Sequence, residues 1–209
     1  MKFSSPFDPL FQDIVEDLPT AFKHQFLHAV DDQTDVVFEG QMDEVWHRPK
    51  WLWPFFWLSA QFDILFPETG SNVPATMKLV SSRDKNQQAL QRWERTFHFK
   101  KLRYFNATMA YDNAQKSVVE WMGPGNSTEI VWDIEFHPTE KIEIITKGCN
   151  LKIGKLRAPL LKWFYPQVKA TETAIGEDMI HIDLEVSHPL LGNIFGYHGN
   201  FKLQIIPKG

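Results

Sequence analysis

The sequence holds one cysteine, Cys149, among 209 residues. No intrachain disulfide can form, a reducing compartment is the natural home of such a chain, and without a Cys-x-x-Cys partner the thiol has no redox couple. No apolar run reaches the roughly 20 residues that a membrane-crossing helix needs. The opening residues Met1 to Pro6 lack the apolar stretch of a secretory signal. The expected location is therefore cytoplasmic, where the Asn-x-Ser/Thr triplets at Asn106 and Asn126 carry no meaning. A basic surplus is missing as well: 22 Lys and Arg stand against 26 Asp and Glu, net −4, which argues against a nucleic-acid partner. No glycine-rich phosphate loop occurs, and Ser187-His188 is not set in a nucleophile elbow. His24 and His28 are one helical turn apart. The residues between them, Gln25-Phe26-Leu27, omit the glutamate of the metalloprotease signature and no third ligand is indicated, so neither a metal nor a cofactor is expected.

Aromatic residues are what the chain has in excess, with 17 Phe and 8 Trp against only 4 Tyr. Each such ring is a large apolar load, on the order of 150–250 Å². A chain of this length buries roughly 70% of its surface in a single core, and one domain over residues 1–209 is expected, without linker or repeat.

Periodicity divides that domain. From Pro9 to Val30 apolar residues recur at three- and four-residue steps, which predicts a helical segment broken at Pro19. From Val36 onward the period is two. Val36, Phe38, Met42 and Trp46 alternate with polar residues, and Gly40 marks a bulge or a close approach. The runs 76–82 and 89–99, 102–111 and 116–122 read as hairpins. The strand carrying Ile130, Trp132, Ile134 and Phe136 turns at His137-Pro138-Thr139 into Ile142 and Ile144. Gln167–Ile175 and Met179–Val186 pair next, with Ile180, Ile182, Leu184 and Val186 inward and His181, Asp183 and Glu185 outward. Phe195–Ile206 is the last strand. The fold class is mainly β (α+β): about ten antiparallel strands over residues 36–206, as a barrel or a strongly curved sheet, behind an N-terminal helical segment at 9–30.

Between the first strand and the rest lies the aromatic concentration, Trp46 to Phe66. Pro54 and Asp63 interrupt it, so it does not span a membrane. Pro54 suits the first turn of a helix near 54–66, with Phe55, Leu58, Phe62 and Leu65 on one face. Three roles remain open: a core helix packed on the sheet, a lid over an apolar cavity, or an exposed patch for a membrane surface or partner protein.

A few polar residues fall on inward positions. Trp93, Arg95 and Phe97 share a strand face, so Arg95 is a buried guanidinium candidate with Glu120 or Glu172 as partner. Glu172 interrupts the otherwise apolar face of Val168, Ala170 and Ala174, and a carboxylate there is paired or functional. Lys100, Lys101 and Arg103 read as a solubilising cluster at an edge or turn.

Several short motifs occur in order along nearly the whole chain: Leu10-Phe11-Gln12 and Leu18-Pro19, Phe38-Glu39-Gly40, Pro49-Lys50-Trp51, Leu65-Phe66-Pro67-Glu68-Thr69-Gly70 with Val73-Pro74, Trp93-Glu94-Arg95-Thr96-Phe97, Arg103-Tyr104-Phe105 with Ala107-Thr108-Met109, Pro189-Leu190-Leu191-Gly192 and Phe195-Gly196-Tyr197-His198-Gly199. In these the chain resembles an uncharacterised bacterial family, domain of unknown function 4166, from about Leu10 to Phe201. The resemblance implies a bacterial, cytoplasmic accessory or binding domain, and it supplies no activity, cofactor or catalytic residue. The leading expectation is a non-catalytic domain that binds a small apolar or amphipathic ligand through Trp93, Arg95, Glu120, Glu172, Trp57 and Tyr197. It requires an interior cavity of roughly a few hundred Å³. The alternatives are a protein- or membrane-surface module using Trp51–Trp57, and an enzyme of unidentified type with a perturbed carboxylate or histidine in a cleft.

Overall fold

The period-two segments become eleven strands, all paired antiparallel, in a computed structural model that describes residues 3–137, 140–153 and 156–208. They are β1 (Thr34–His47), β2 (Gly70–Arg83), β3 (Ala89–His98), β4 (Leu102–Asp112), β5 (Ser117–Met122), β6 (Thr128–His137), β7 (Lys141–Ile153), β8 (Leu156–Pro159), β9 (Gln167–Ala174), β10 (Met179–His188) and β11 (Gly192–Pro207). The chain meanders from β1 to β7. The first part of β7 then takes β9 on its free edge, while its last four residues take β8. β9 leads to β10 and β11, and β11 returns to β1 over the pairs Thr34↔Pro207 to His47↔Phe195. With β6 bonded to β7 the ring closes into a ten-stranded barrel, β8 being an extra strand outside it. Closure decides between the two expected forms, and it leaves no long unpaired edge in the ring. Part of the expected turn at 137–139 lies outside the described residues.

Alternation does what the sequence pattern implies. Ile180, Ile182, Leu184 and Val186 of β10 are buried, while Asp183 between them is exposed. Gly40 is a point of close approach: a Cβ there would lie 1.9 Å from the Asn200 carbonyl oxygen of β11. The bulge on β1 is elsewhere, between Met42 and Glu44.

The registers define two barrel ends. At one end lie the β2–β3, β4–β5, β6–β7 and β9–β10 turns, and the N-terminal segment closes this mouth. That segment comprises α1 (Asp8–Phe11), a 3₁₀ turn (Val15–Asp17) and α2 (Thr20–Phe26), with Pro19 as the N-cap that separates them. Phe7, Phe11, Phe22 and Phe26 are fully buried. Phe7 and Phe26 reach Trp93 of β3 at ring distances of 6.1 and 5.8 Å. Such burial stabilises by roughly 1.5–3 kcal/mol per ring, which makes the segment a plug and part of the core.

The other end carries the β1–β2 connection, the β3–β4 turn, the β10–β11 turn and the approach to β9. The β1–β2 connection contains a 3₁₀ turn (Lys50–Leu52), α3 (Trp53–Ser59) and a second 3₁₀ turn (Ala60–Phe62). Pro54 lies in the first turn of α3, as its missing N–H allows. The helix is shorter than the 54–66 expected: it ends at Ser59, and the 3₁₀ turn after it stops at Asp63 in the left-handed conformation.

Candidate functional site

The barrel interior gathers its polar groups around one guanidinium. Arg95 projects inward from β3, with Met77 of β2 and Phe105 of β4 as cross-strand neighbours. Its guanidinium carbon lies 4.4 Å from the Phe105 ring centre and 5.4 Å from that of Trp93, within cation–π range. Nη2 faces Glu120 Oε1 of β5 at 3.5 Å, a loose contact, and Nε has no hydrogen-bond partner. Glu120 is buried. Desolvation raises its pKa above the ordinary carboxyl value, an effect opposed by Arg95 and then by the Trp132 indole.

Glu172 of β9 is the second inward carboxyl. Burial pushes its pKa up to about 7, against the pull of a hydrogen bond from Gln25 and the charge of Arg95. Gln25 Nε2 donates to Glu172 Oε2 at 2.6 Å. Its amide oxygen has no partner. The Gln25 carbonyl accepts from Gln91 Nε2, whose own amide oxygen accepts from Trp93 Nε1 at 2.8 Å. Tyr197 of β11 packs edge-on against Phe97 and Phe195. Burial raises its hydroxyl pKa, offset by a hydrogen bond and Coulomb attraction from Arg95.

The space these groups share with Met109, Ile144 and Leu184 is about 50 Å³. That accommodates a few waters and falls short of the roughly 300–1,000 Å³ typical of ligand sites. The barrel is filled by its own side chains. The perturbed carboxyls expected of an enzyme are present, but they face this closed interior.

The opposite character is found on the open rim. Phe56 is the one fully buried ring of α3, set between His47 at 4.9 Å and Phe195 at 6.1 Å. Of the face expected to join Phe55, Leu58, Phe62 and Leu65, the first three are exposed and only Leu65 is buried. Trp51 is 66%, Trp53 50% and Trp57 49% exposed. The anchoring residues are Phe56 and Ser59, each one place after a member of that face. Pairing at the strand ends carries the apolar rim further round. Ser187 pairs with Gln167, which brings the segment before β9 beside the β10–β11 turn. There Leu161, Trp163 and Phe164 are 68%, 60% and 71% exposed, next to exposed Leu190. A cleft of about 630 Å³ opens beside α3, lined by Trp46, Lys50, Trp53 and Glu44 among others.

A family model described as "Domain of unknown function (DUF4166)" matches residues 18–201. The chain belongs to this family. It is also similar to the uncharacterized protein YndH of Bacillus subtilis (strain 168), 29% identical over 147 residues that cover 69% of this chain and 72% of that protein. The matched span contains the interior cluster, α3 and the apolar segment before β9, while α1 precedes it.

Of the six expected site residues, Trp93, Arg95, Glu120, Glu172 and Tyr197 line one cavity. Trp57 is apart from them on the rim. Gln25 and Gln91 were not anticipated, since a glutamine within a helical or strand pattern looks solvated. One further expectation changes. Arg103 is no solubilising residue: it is buried in a two-bond pair with Glu68, its Nε donating to Oε2 at 2.6 Å. Glu129, on the outward face of β6, is fully buried because β8 brings Arg157 across it. It accepts from Trp121 Nε1 at 2.8 Å and Asn150 Nδ2 at 2.9 Å, and pairs with Arg157 at 2.8 Å. His28, buried, meets Asp32 at 3.0 Å. Cys149 is buried, and desolvation followed by Glu129 pushes its thiol up to about 11.

Proposed function

We propose that this domain is a membrane-surface docking module that lays its open rim, α3 foremost, on a lipid bilayer. The observation that carries the reading is the exposure of Trp51, Trp53, Phe55, Trp57, Leu58 and Phe62 along the one β1–β2 connection, continued by Leu161, Trp163 and Phe164 along the same rim. Monomeric soluble proteins keep apolar patches small unless something covers them. Tryptophan is the side chain best suited to the bilayer interface. No helix among the described residues is long and apolar enough to cross a membrane, so the mode is peripheral. A cytoplasmic location, consistent with the single thiol, would present the rim to an inner leaflet.

A half-exposed ring offers on the order of 100 Å² to lipid, equivalent to about 2.5 kcal/mol. Two rings therefore account for up to about 5 kcal/mol of binding. Co-sedimentation with phospholipid vesicles should show the wild-type chain bound. The Trp53→Ser, Trp57→Ser variant should bind at least ~100-fold more weakly. Both residues are half-exposed, so the variant should keep its fold by circular dichroism, and equal binding of the two proteins would refute the docking.

A second reading is supported by the unpartnered Arg95 Nε and Gln25 Oε1. The interior formed by Trp93, Arg95, Glu120, Glu172 and Tyr197 would hold a small guest of a few heavy atoms, hydrogen-bonded at its polar end and surrounded by methionine and branched side chains. Native mass spectrometry of the purified protein tests it. A spectrum containing only the bare chain would dismiss this reading.

A further inference from the structure

The charges of the molecule are sorted by barrel end as its apolar surface is. On the open rim stand Arg48 and Lys50 beside α3, Lys100 and Lys101 in the β3–β4 turn, and Lys162 in the segment before β9. All five are exposed, and among the described residues none has a carboxylate within ion-pair distance. The two acids of the loops on this rim are engaged: Glu68 holds Arg103, and Asp63 accepts from Asn106 Nδ2 at 3.4 Å. The plugged end is the reverse. Asp13, Glu16, Asp17, Asp31, Glu140 and Glu177 are exposed there, on the plug and on the turns beside it. Lys85 and Lys116 are exposed at this end too, but the acids outnumber them, so a chain of net −4 carries a cationic excess around its exposed tryptophans and an acidic excess at the far pole.

We infer that the surface this domain docks on is an anionic phospholipid bilayer, and that the axial charge separation turns the open rim toward it. The inference rests on the docking reading above and specifies its lipid. A zwitterionic surface has no net charge to reward such sorting. An anionic leaflet attracts each nearby lysine by an amount equivalent to about a fivefold gain in binding, and repels the acidic pole. The attraction extends about one Debye length, roughly 8–10 Å at physiological salt, so the plugged end, a barrel length away, contributes orientation more than affinity. Lys50 has a particular place in this arrangement. It lines the cleft with Trp46 and Trp53, where a lipid phosphate can meet the ammonium while the acyl chains meet the neighbouring rings. Glu44, also in the lining, would repel a second phosphate.

The test uses the full chain, vesicles of phosphatidylcholine alone or with about a third phosphatidylglycerol, and two variants. The first is Lys50→Gln, Lys100→Gln, Lys101→Gln, Lys162→Gln, four exposed sites whose change should leave the fold intact. The second is the Trp53→Ser, Trp57→Ser protein. Wild type should prefer the anionic vesicles by on the order of 1,000-fold, less at high salt. The lysine variant should lose that preference, binding the two vesicles alike, and the tryptophan variant should weaken on both. Equal binding of wild type to the two vesicles, or an undiminished preference in the lysine variant, overturns the anionic assignment and leaves the docking reading standing. Wild type bound to neither vesicle, or a tryptophan variant bound as well as wild type, overturns both.

Discussion

Replacing Glu172 by glutamine should make the protein more stable at alkaline pH and leave it nearly unchanged at acid pH. The folded-state pKa of Glu172 is about 7 against an ordinary value of 4.5, chiefly because burial disfavours the carboxylate. Between those two values the folded chain holds a proton that the unfolded chain releases, so stability falls as pH rises through the window. The contribution is intact below pH 4.5 and gone somewhat above pH 7. A shift of this size corresponds to about 3 kcal/mol. Glu172→Gln cannot ionise. Its amide oxygen still accepts from Gln25 Nε2, and its amide nitrogen offers a donor to the unpartnered Gln25 oxygen. Urea titrations at pH 5, 6, 7 and 8 measure the effect. With a slope of roughly 1–3 kcal/mol per molar, the gap between variant and wild type should widen by about 1–3 M from pH 5 to 8. Glu120, also raised by burial, adds a slope of the same sign to both proteins and largely cancels in the comparison. A gap that stays constant across this range would refute the claim that Glu172 is a buried, proton-holding carboxyl.

Three other outcomes follow from the packing. Phe56→Ala should cost about 3–5 kcal/mol in thermal or urea unfolding, whereas Phe55→Ala, its exposed neighbour, should cost under about 1 kcal/mol. Gly40→Ala should destabilise by at least about 1–3 kcal/mol, because its Cβ would lie 1.9 Å from a backbone oxygen of β11; near-equal unfolding midpoints would show that the β1–β11 contact is looser than described. Cys149, with its thiol held near 11, should be only about 0.1% thiolate at pH 8. Ellman's reagent should then label it at the rate of unfolding, and prompt labelling of folded protein would contradict its burial.

The β-strands could be read because each carries its own contrast. In β10 and β6 apolar and charged residues alternate, and that alternation fixes which side faces in. The same logic places Arg95 between two rings and offers Glu120 or Glu172 as its partner, since a guanidinium on an apolar face needs a carboxylate; Glu120 is the one within ion-pair distance. Contrast is what the stretch from Trp51 to Leu58 lacks. When nearly every residue is aromatic or aliphatic, helical periodicity has no polar face from which to set its phase. The sequence pattern therefore does not single out Phe56 as the buried position. Gln25 and Glu129 escaped for a different reason. Each has the usual residue type for a solvated position, and each is buried by an element distant in sequence: Gln25 where its helix enters the barrel mouth, Glu129 where β8 crosses the outer wall. Local pattern carries no information about such cover. Nor does it announce that β11 will find β1.

That last pairing governs when the fold can be completed. The neighbours of β1 are β2, made soon after it, and β11, whose residues pair with it across about 150 to 170 positions of sequence, from His47↔Phe195 to Thr34↔Pro207. During synthesis at roughly 5–20 residues per second, the long edge of β1 waits many seconds for its partner. The plug has a mouth to fill only once the ring has closed. Until then an incomplete, strongly aromatic sheet is exposed to every neighbouring chain, and closure over so large a sequence separation is slow. The step most open to interception by a chaperone, or to error by aggregation, is thus the arrival of the final strand.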